Sequence, residues 1–288
     1  MGSEMCIRDR YYIDISIGDG LAIGDHFTIL DYDSSTDTFT PKSISGKYSN
    51  IRLLSTLFPY TAWGLLTDIY VGGDPDTKTG AIYLWNGGNV TKALETKGIL
   101  TALFTQDWKH HIAIGYKGAM AISNDWGYTW QEVDSGVSDS LIDIGGTSLN
   151  ELWIISGEGN IYKAKFYVDT DNNLVLDNMK LYKKAGTSLS RLWFNDRNDG
   201  YAVGANGTLL HWDGISWSEL PTGTAIGFTA IYGLEENKFF IVGHGGYVFK
   251  YYSKAYPSLL IDNQGNITGT KTNPLYAVSY THLTLPTN

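Results

Sequence analysis

Short apolar runs alternate along most of this chain with clusters of Gly, Asn and Asp. In the clearest stretch, the apolar runs occupy residues 190–194, 200–204, 207–212 and 216–220. Runs of this length between turn-forming residues are typical of β-strands joined by tight hairpins. A helical period of 3.6 residues is not sustained anywhere. The pattern therefore predicts an all-β protein built from short antiparallel strands.

A small or apolar residue followed by glycine recurs and divides the chain into repeats. The glycines of this pair are Gly24, Gly72, Gly115, Gly157, Gly204 and Gly243. They lie 39 to 48 residues apart, and a period of about 40–50 residues is typical of four-stranded propeller blades. The sequence therefore predicts a β-propeller of four-stranded blades with six visible units. The pattern indicates that a further unit begins at 274–277. The natural protein could therefore have a seventh blade.

Both ends of the chain depart from the repeat pattern. Residues 1–10 and 278–288 resemble translated sequencing-adapter read-through of the kind found in metagenomic sequences. We therefore expect the propeller to occupy residues 11–277 and the natural protein to continue beyond both ends. The single cysteine, Cys6, lies in the first of these segments, so no internal disulfide and no nucleophilic cysteine are expected.

The third unit contains the motif S-N-D-W-G-Y-T-W at residues 123–130. Its defining residues are Ser123, Asp125, Gly127, Thr129 and Trp130. The motif resembles the Asp-box of the sialidase-type (BNR) propellers. We expect Asp125 to accept hydrogen bonds from turn amides, Gly127 to relieve the backbone, and Trp130 to pack between sheets. These roles indicate a folding device rather than a ligand site.

A second resemblance is carried by residues 192–208, which read L-W-F-N-D-R-N-D-G-Y-A-V-G-A-N-G-T. This stretch is similar to the repeat of the photosystem II assembly-factor-like propellers and of related bacterial surface propeller proteins. The resemblance covers about residues 11–276 and is clearest in the third to sixth units. It implies a bacterial protein outside the cytoplasm, whether secreted, periplasmic or on the cell surface. It does not imply one activity, because one fold hosts many functions.

Composition and charge exclude several classes of partner and cofactor. The net charge of -9 argues against nucleic acid, which requires clustered Lys and Arg. No apolar run approaches the length of about 20 residues that a membrane-spanning helix needs. Phosphate loops, dinucleotide fingerprints and Gly-x-Ser-x-Gly motifs do not occur. The sequence predicts no cofactor.

The turns between the second and third strands of the units form a candidate binding face. Its candidate residues are Asp25, His26, Asp74, Asp76, Tyr116, Lys117, Glu158, Asn160, Asn206 and His244. The glycine before each turn repeats while the side chains in the turns differ, which favours a surface adapted to bind a specific partner. Ordinary solvated turns are the alternative interpretation.

Two other groups have metal-like chemistry but depart from the pattern of a metal site. Residues 169–173 read D-T-D-N-N, yet Leu174 replaces the turn glycine of a calcium loop and Lys180 occupies the position of its final glutamate. His110 and His111 are adjacent, so in a strand they face opposite sides. We therefore expect a polar hairpin at 169–173 and no metal.

Four tryptophans are candidates either for packing between blades or for stacking on sugars. They are Trp126, Trp153, Trp193 and Trp217. We expect all four to fill gaps between blades.

The sequence favours a non-catalytic recognition or assembly scaffold that binds protein or glycan. The alternative is an Asp-box-type glycoside hydrolase that uses Asp25, Asp74 or Glu158 as acid and base. A third possibility is a repeat domain that presents other domains. Sialidase activity is disfavoured, because the three arginines outside the first adapter-like segment do not match the carboxylate clamp that the resemblance would require.

Overall fold

The computed structural model describes residues 10–15, 19–24, 29–33, 35–36, 38–41, 51–57, 68–85, 89–105, 107, 109–235, 238–252, 258–261, 267–271 and 275–279. The chain forms two compact units. The first consists of residues 1–142 and 166–179, and the second of residues 143–165 and 180–288. Each unit is described by itself below. No helix within the described ranges has the length and apolar character that crossing a membrane requires.

The first twelve strands form three antiparallel sheets of four strands each. The first sheet contains β1 (Arg10–Ile15), β2 (Asp19–Gly24), β3 (Ile29–Asp33) and β4 (Thr38–Pro41). The second contains β5 (Arg52–Leu57), β6 (Asp68–Asp74), β7 (Thr79–Trp85) and β8 (Val90–Thr96). The third contains β9 (Leu100–Thr105), β10 (His111–Gly115), β11 (Met120–Ser123) and β12 (Gln131–Glu132).

Three more four-stranded sheets and one hairpin follow. The fourth sheet contains β13 (Leu141–Ser148), β14 (Glu151–Ser156), β15 (Asn160–Val168) and β16 (Leu174–Lys184). The fifth contains β17 (Leu189–Asp196), β18 (Asp199–Gly204), β19 (Leu209–Trp212) and β20 (Trp217–Glu219). The sixth begins with β21 (Phe228–Glu235), β22 (Lys238–Gly243) and β23 (Tyr247–Tyr252). The hairpin pairs β24 (Ser258–Ile261) with β25 (Ile267–Lys271), and the last strand is β26 (Leu275–Ser279).

The first five sheets are meanders in which successive strands pair side by side, and the sixth follows this order over its first three strands. The turns after the first and third strands therefore lie at one end of the sheet, and the turn after the second strand lies at the other end. The boundaries predicted for the four strands within residues 190–220 agree with those of the fifth sheet to within two residues, because Gly, Asn and Asp end the strands locally.

The sixth sheet departs from the predicted layout in its outermost strand. Its order is β21-β22-β23-β26, and the β23–β26 register runs from Tyr247 opposite Ser279 to Tyr251 opposite Leu275. The segment that the sequence indicated as the start of a seventh unit is thus the outer strand of the sixth sheet. A strand's partner depends on which edge is open, and the strand's own sequence does not encode this.

The cores lie on the middle strands of the sheets. Every residue of β10 is buried, and so is every residue of β11. Continuous apolar runs of this kind belong to strands that are covered on both faces. In the first unit, Ile69, Leu100, Ala113 and Trp130 share one core cluster. In the second unit the core is aromatic, and its Phe239 ring lies 4.4 Å from the ring of Tyr251.

Candidate binding face and Asp-box loop

The turns between second and third strands, which we call the turn face, contain all the described residues of the predicted binding face. Asp74 ends β6, and Asp76 lies in the turn that follows. The others in the described ranges are Tyr116 and Lys117 after β10, Glu158 and Asn160 after β14, Asn206 after β18, and His244 after β22. Asp25 and His26 lie outside the described residues.

Three of these turns share one backbone conformation. Residues 116–118, 205–207 and 244–246 each form a single 3-10 turn whose middle residue is left-handed. The middle φ values are 57° at Lys117, 55° at Asn206 and 78° at Gly245. The repeated glycine of the sequence is the last residue of the strand before each of these turns.

Each of the three turns is anchored to the start of the innermost strand of its own sheet. The first turn residue donates its N–H to the carbonyl before that strand, at 2.9 Å in all three cases. The pairs are Tyr116 with Ile99, Ala205 with Ser188, and His244 with Gly227. The third turn residue packs tightly in two of the turns, since a Cβ on Gly118 would lie 1.9 Å from the Val137 carbonyl oxygen and a Cβ on Gly207 2.0 Å from that of Thr224, whereas a Cβ on Gly246 would meet nothing within 4 Å. Backbone contacts therefore hold the turns, and the exposed side chains are left free to vary.

Side-chain hydroxyls from the links that follow the fourth strands, which we call the outward links, close the first two of these turns. Ser135 Oγ donates to the Gly118 carbonyl at 2.7 Å, and Thr222 Oγ1 donates to the Gly207 carbonyl at 2.7 Å. Sequence reasoning missed these two residues. The signal that could have found them is a Ser or Thr 15 to 17 residues after the turn glycine.

In the second unit, the side chain of His244 and the backbone of Ala205 both lie near Gly227. The Cβ position on Gly227 lies 2.9 Å from His244 Cδ2 and 3.7 Å from the Cα of Ala205, which adjoins Asn206. His244 and Asn206 are both exposed. Asn160 instead faces its own strand, because its Nδ2 lies 3.4 Å from the Tyr162 hydroxyl.

In the first unit, the candidate residues differ in what their side chains do. Tyr116 is 38% exposed. Lys117 Nζ donates to the Lys97 carbonyl at 3.2 Å, which pins it over the link from the preceding sheet. The Asp74 carboxylate accepts the N–H of Asp76 at 2.8 Å and so caps its own turn. This is a structural use of one of the carboxylates proposed for hydrolysis.

The Asp-box loop, residues 123–130, is closed by hydrogen bonds within the motif. Asp125 Oδ1 accepts the N–H of Thr129 at 2.8 Å, and Oδ2 accepts the Thr129 hydroxyl at 2.6 Å. Ser123 Oγ donates to Asp125 Oδ1 at 3.0 Å and accepts the N–H of Gly127 at 3.0 Å. Trp130 Nε1 donates to the Gly127 carbonyl at 2.8 Å. The network fixes the turn between β11 and β12.

The Asp125 carboxyl remains ionised within this network. Partial burial favours its protonated form, but the hydrogen bonds from Thr129 and Ser123, together with the nearby His111, outweigh burial and lower its pKa below the usual value. The Trp130 ring is buried and stacks on His111 at a centroid distance of 6.1 Å. Within the described residues, no cluster of His, Cys, Asp and Glu has metal-ligand geometry.

The sequence profile of the family described as photosynthesis system II assembly factor YCF48 matches residues 73–252 of this chain. The matched stretch is more than half of the 288 residues. The chain belongs to this family. The resemblance to assembly-factor propellers in the sequence is therefore confirmed. No curated protein sequence matches the chain.

Solved structures support the fold of this YCF48-family chain. It is similar to YCF48 from Cyanidioschyzon merolae at 11% identity and a TM-score of 0.60, over 84% of this chain and 81% of that one. It is also similar to the WD40 repeats of RRP9 at 8% identity and a TM-score of 0.63, over 88% and 78% of the two chains. U3-55K matches at 8% identity with a TM-score of 0.64, over 88% and 79%. The predicted β-propeller fold is confirmed.

In this YCF48-family chain, the hairpin tip at 169–173 docks on the third sheet. Asp169 Oδ1 accepts the N–H groups of Asp171 and Asn173 at 3.0 and 2.8 Å, so its carboxylate caps the hairpin. The buried His110 ring lies between Asp107, whose Oδ2 is 2.9 Å from Nδ1, and the Asn172 carbonyl, 3.1 Å from Nε2. Sequence reasoning missed this docking, because residues about 60 positions apart make it.

One further bond holds the hairpin of this family member to the Asp-box loop. Asn124 Oδ1 accepts the N–H of Leu174 at 2.6 Å. Asp107, the hydrogen-bond partner of His110, also has a shifted pKa. Burial raises the pKa of its carboxyl group, but hydrogen bonds from His110 and Lys109 outweigh burial and lower it below the usual value. The polar hairpin is thus a fixed part of the first unit.

The tryptophans of this YCF48-family chain have different roles. Trp153 and Trp217 are buried, with ring centroids 5.6 Å apart, and Trp193 packs against Tyr201 at 5.8 Å. The prediction that all four fill gaps is wrong for Trp126, whose side chain is 46% exposed. Trp126 lies in the tight Asp-box loop rather than in a strand, and its φ is 62°.

Proposed function

We propose that this chain is a non-catalytic assembly scaffold that binds a protein partner through its turn face. One observation carries the proposal: the turns at 116–118, 205–207 and 244–246 keep one backbone conformation but present different exposed side chains. Backbone hydrogen bonds of Tyr116 and His244 hold this backbone, so it does not depend on the side chains of these two residues. Variable side chains on a rigid frame are what a specific recognition surface needs.

The family supports a protein as partner. Its description names an assembly factor, and assembly requires contact with other polypeptides. In the first unit Tyr116 adjoins Lys117, and in the second unit Asn206 and His244 are both exposed, so each unit provides the mixture of apolar area and hydrogen-bonding groups found in protein interfaces. A glycan partner on this face has no comparable support.

We further propose that the protein works outside a bacterial cytoplasm. This proposal rests on the resemblance to bacterial surface propellers and on a composition with 14% aromatic and 18% charged residues. Expression of the complete natural gene followed by cell fractionation would test it, and recovery in the cytoplasmic fraction alone would reject it.

Peptides selected from a displayed random library against the folded chain test the turn face. We expect Tyr116→Ala to weaken the binding of peptides that the first unit selects, and His244→Ala the binding of those that the second unit selects, each by about ten-fold or more, the loss expected for a central contact residue. Ile215→Ala is the matched control, because Ile215 is 82% exposed but lies in the turn between β19 and β20, at the other end of its sheet. If only Ile215→Ala weakened the binding of the selected peptides, the proposed face would be rejected.

Sugar release from a glycan panel tests the hydrolase alternative. We expect none from a chain that unfolds cooperatively. Release that disappears on changing Asp74 or Glu158 to Ala would establish an enzyme and overturn the scaffold proposal.

A further inference from the structure

Trp126 combines backbone strain with exposure, two features that the fold does not explain. Its φ is 62° and its side chain is 46% exposed. In the described ranges, the other non-glycine residues with positive φ are lysines and asparagines. A bulky aromatic side chain is disfavoured in this conformation, and strain of this kind concentrates at functional sites. Glycine at position 126 would close the same loop without strain.

A second exposed aromatic residue lies two positions further along the same loop. Tyr128 is 47% exposed. The hydrogen bonds of Asp125, Ser123 and Trp130 hold the backbone between and around the two rings. The rings are therefore presented by a preorganised loop, which lowers the conformational entropy lost on binding.

One hydrogen-bond donor lies near the Trp126 ring, and a second belongs to the same loop. Lys109 Nζ lies 6.0 Å from the ring centroid and 3.3 Å from the Asn172 carbonyl oxygen. Asn124 uses its oxygen to accept the Leu174 N–H, which leaves its amide N–H groups for other partners. Both oxygens of Asp125 already accept hydrogen bonds within the loop. The surroundings thus supply hydrogen-bond donors for an uncharged ligand rich in hydroxyl acceptors.

From these contacts we propose that Trp126 and Tyr128 form an aromatic platform that binds a neutral hexose of a glycan. The apolar face of a pyranose ring matches an indole ring in size, and its hydroxyls can accept hydrogen bonds from Lys109 and Asn124. Aromatic surface with a few placed polar groups is typical of small-ligand sites. A protein partner is disfavoured, because a stable interface needs about 800 Å² on each side and this platform is one tight loop.

The platform is independent of the proposed scaffold function. It lies in the turn between the third and fourth strands of its sheet, whereas the turn face lies at the other end of the strands. Failure of one proposal therefore leaves the other standing.

Isothermal titration calorimetry with maltohexaose, cellohexaose, mannohexaose and 3′-sialyllactose tests the platform. We expect at least one of the three neutral hexasaccharides to bind the intact chain, with affinity reduced about ten-fold or more by Trp126→Gly and by Tyr128→Ser. Tyr232→Ser is the control, because Tyr232 is 68% exposed and lies in β21. Binding that the control weakens equally, binding of 3′-sialyllactose alone, or no binding at all would overturn the proposal.

Thermal unfolding of Trp126→Gly separates a binding role from a structural one. We expect the melting temperature to stay the same or rise, because glycine adopts a φ of 62° without strain. A clear fall in melting temperature would show that Trp126 supports the fold, and would overturn the proposal. If Trp126→Gly abolished the binding of the selected peptides, the platform would belong to a protein partner, and the glycan proposal would be overturned as well.

Discussion

The Asp125 carboxylate holds the Asp-box loop with both of its oxygens. Three hydrogen bonds from Thr129 and Ser123 converge on it, at 2.6 to 3.0 Å. Hydrogen bonds to an ionised group are stronger than those between neutral groups. A single side chain therefore closes the turn that joins the two outermost strands of the third sheet.

We expect Asp125→Ala to lower the free energy of unfolding by about 2 kcal/mol, because it leaves the Thr129 N–H without its acceptor. Urea denaturation at pH 7 measures the change. The matched control is Asp134→Ala, since the Asp134 carboxylate accepts one exposed bond, the Gly136 N–H at 2.9 Å. Equal losses for the two variants would mean that the Asp125 network does not stabilise the loop.

The same carboxylate makes stability depend on pH in a defined direction. The pKa of Asp125 is lowered from its ordinary value of 3.8 in the folded protein. Its stabilising contribution is therefore complete above pH 3.8 and is lost as the pH falls towards the lowered value. The difference in unfolding free energy between the intact chain and the Asp125→Ala variant should shrink over that acidic range.

At the scale of strands and turns, tight contact between turn and outward link keeps the turn face in place. A comparison of Gly118 with Gly136 separates the effect of backbone conformation from the effect of packing. Both glycines have positive φ, of 63° and 73°. A Cβ at position 118 would lie 1.9 Å from the Val137 carbonyl oxygen, whereas a Cβ at position 136 would meet nothing within 4 Å. The two positions share the backbone requirement but differ in packing.

Gly136→Ala should cost about 1 kcal/mol, the price of a left-handed residue with a Cβ. Gly118→Ala should cost several times as much or prevent folding, since its neighbour is backbone and cannot rotate away. Equilibrium urea unfolding of the pair at 25 °C measures the difference. Similar values for both would show that the turn does not pack against the link.

At the scale of the whole molecule, every described four-stranded sheet depends on its outer strand to cover the third strand. In the sixth sheet β26 does this for β23, along five paired positions. Without it, the apolar strand Tyr247–Tyr252 would become an open edge, which favours pairing between chains.

A chain ending at residue 273 should therefore melt at least about 5 °C lower than the intact chain and scatter more light. A chain ending at residue 279 is the control, because it keeps β26. If both shortened chains behave alike, β26 does not protect the sixth sheet.

The sequence by itself determined the fold class, the strand boundaries of the clearest units and the position of the turn face. These features depend on interactions between neighbours in the chain. Glycine ends the strand before each of the 116–118, 205–207 and 244–246 turns, and apolar runs mark buried strands. These glycines and apolar runs recur from unit to unit, so a single sequence contains several copies of the same signal.

Only the tertiary structure decided how distant segments combine. The docking of His110 on the Asn172 carbonyl joins residues 62 positions apart. The place of β26 depends on the edge of β23 with which it pairs, and the sequence did not show that Trp126 would be exposed. Such contacts arise from packing between surfaces, which local propensity does not encode.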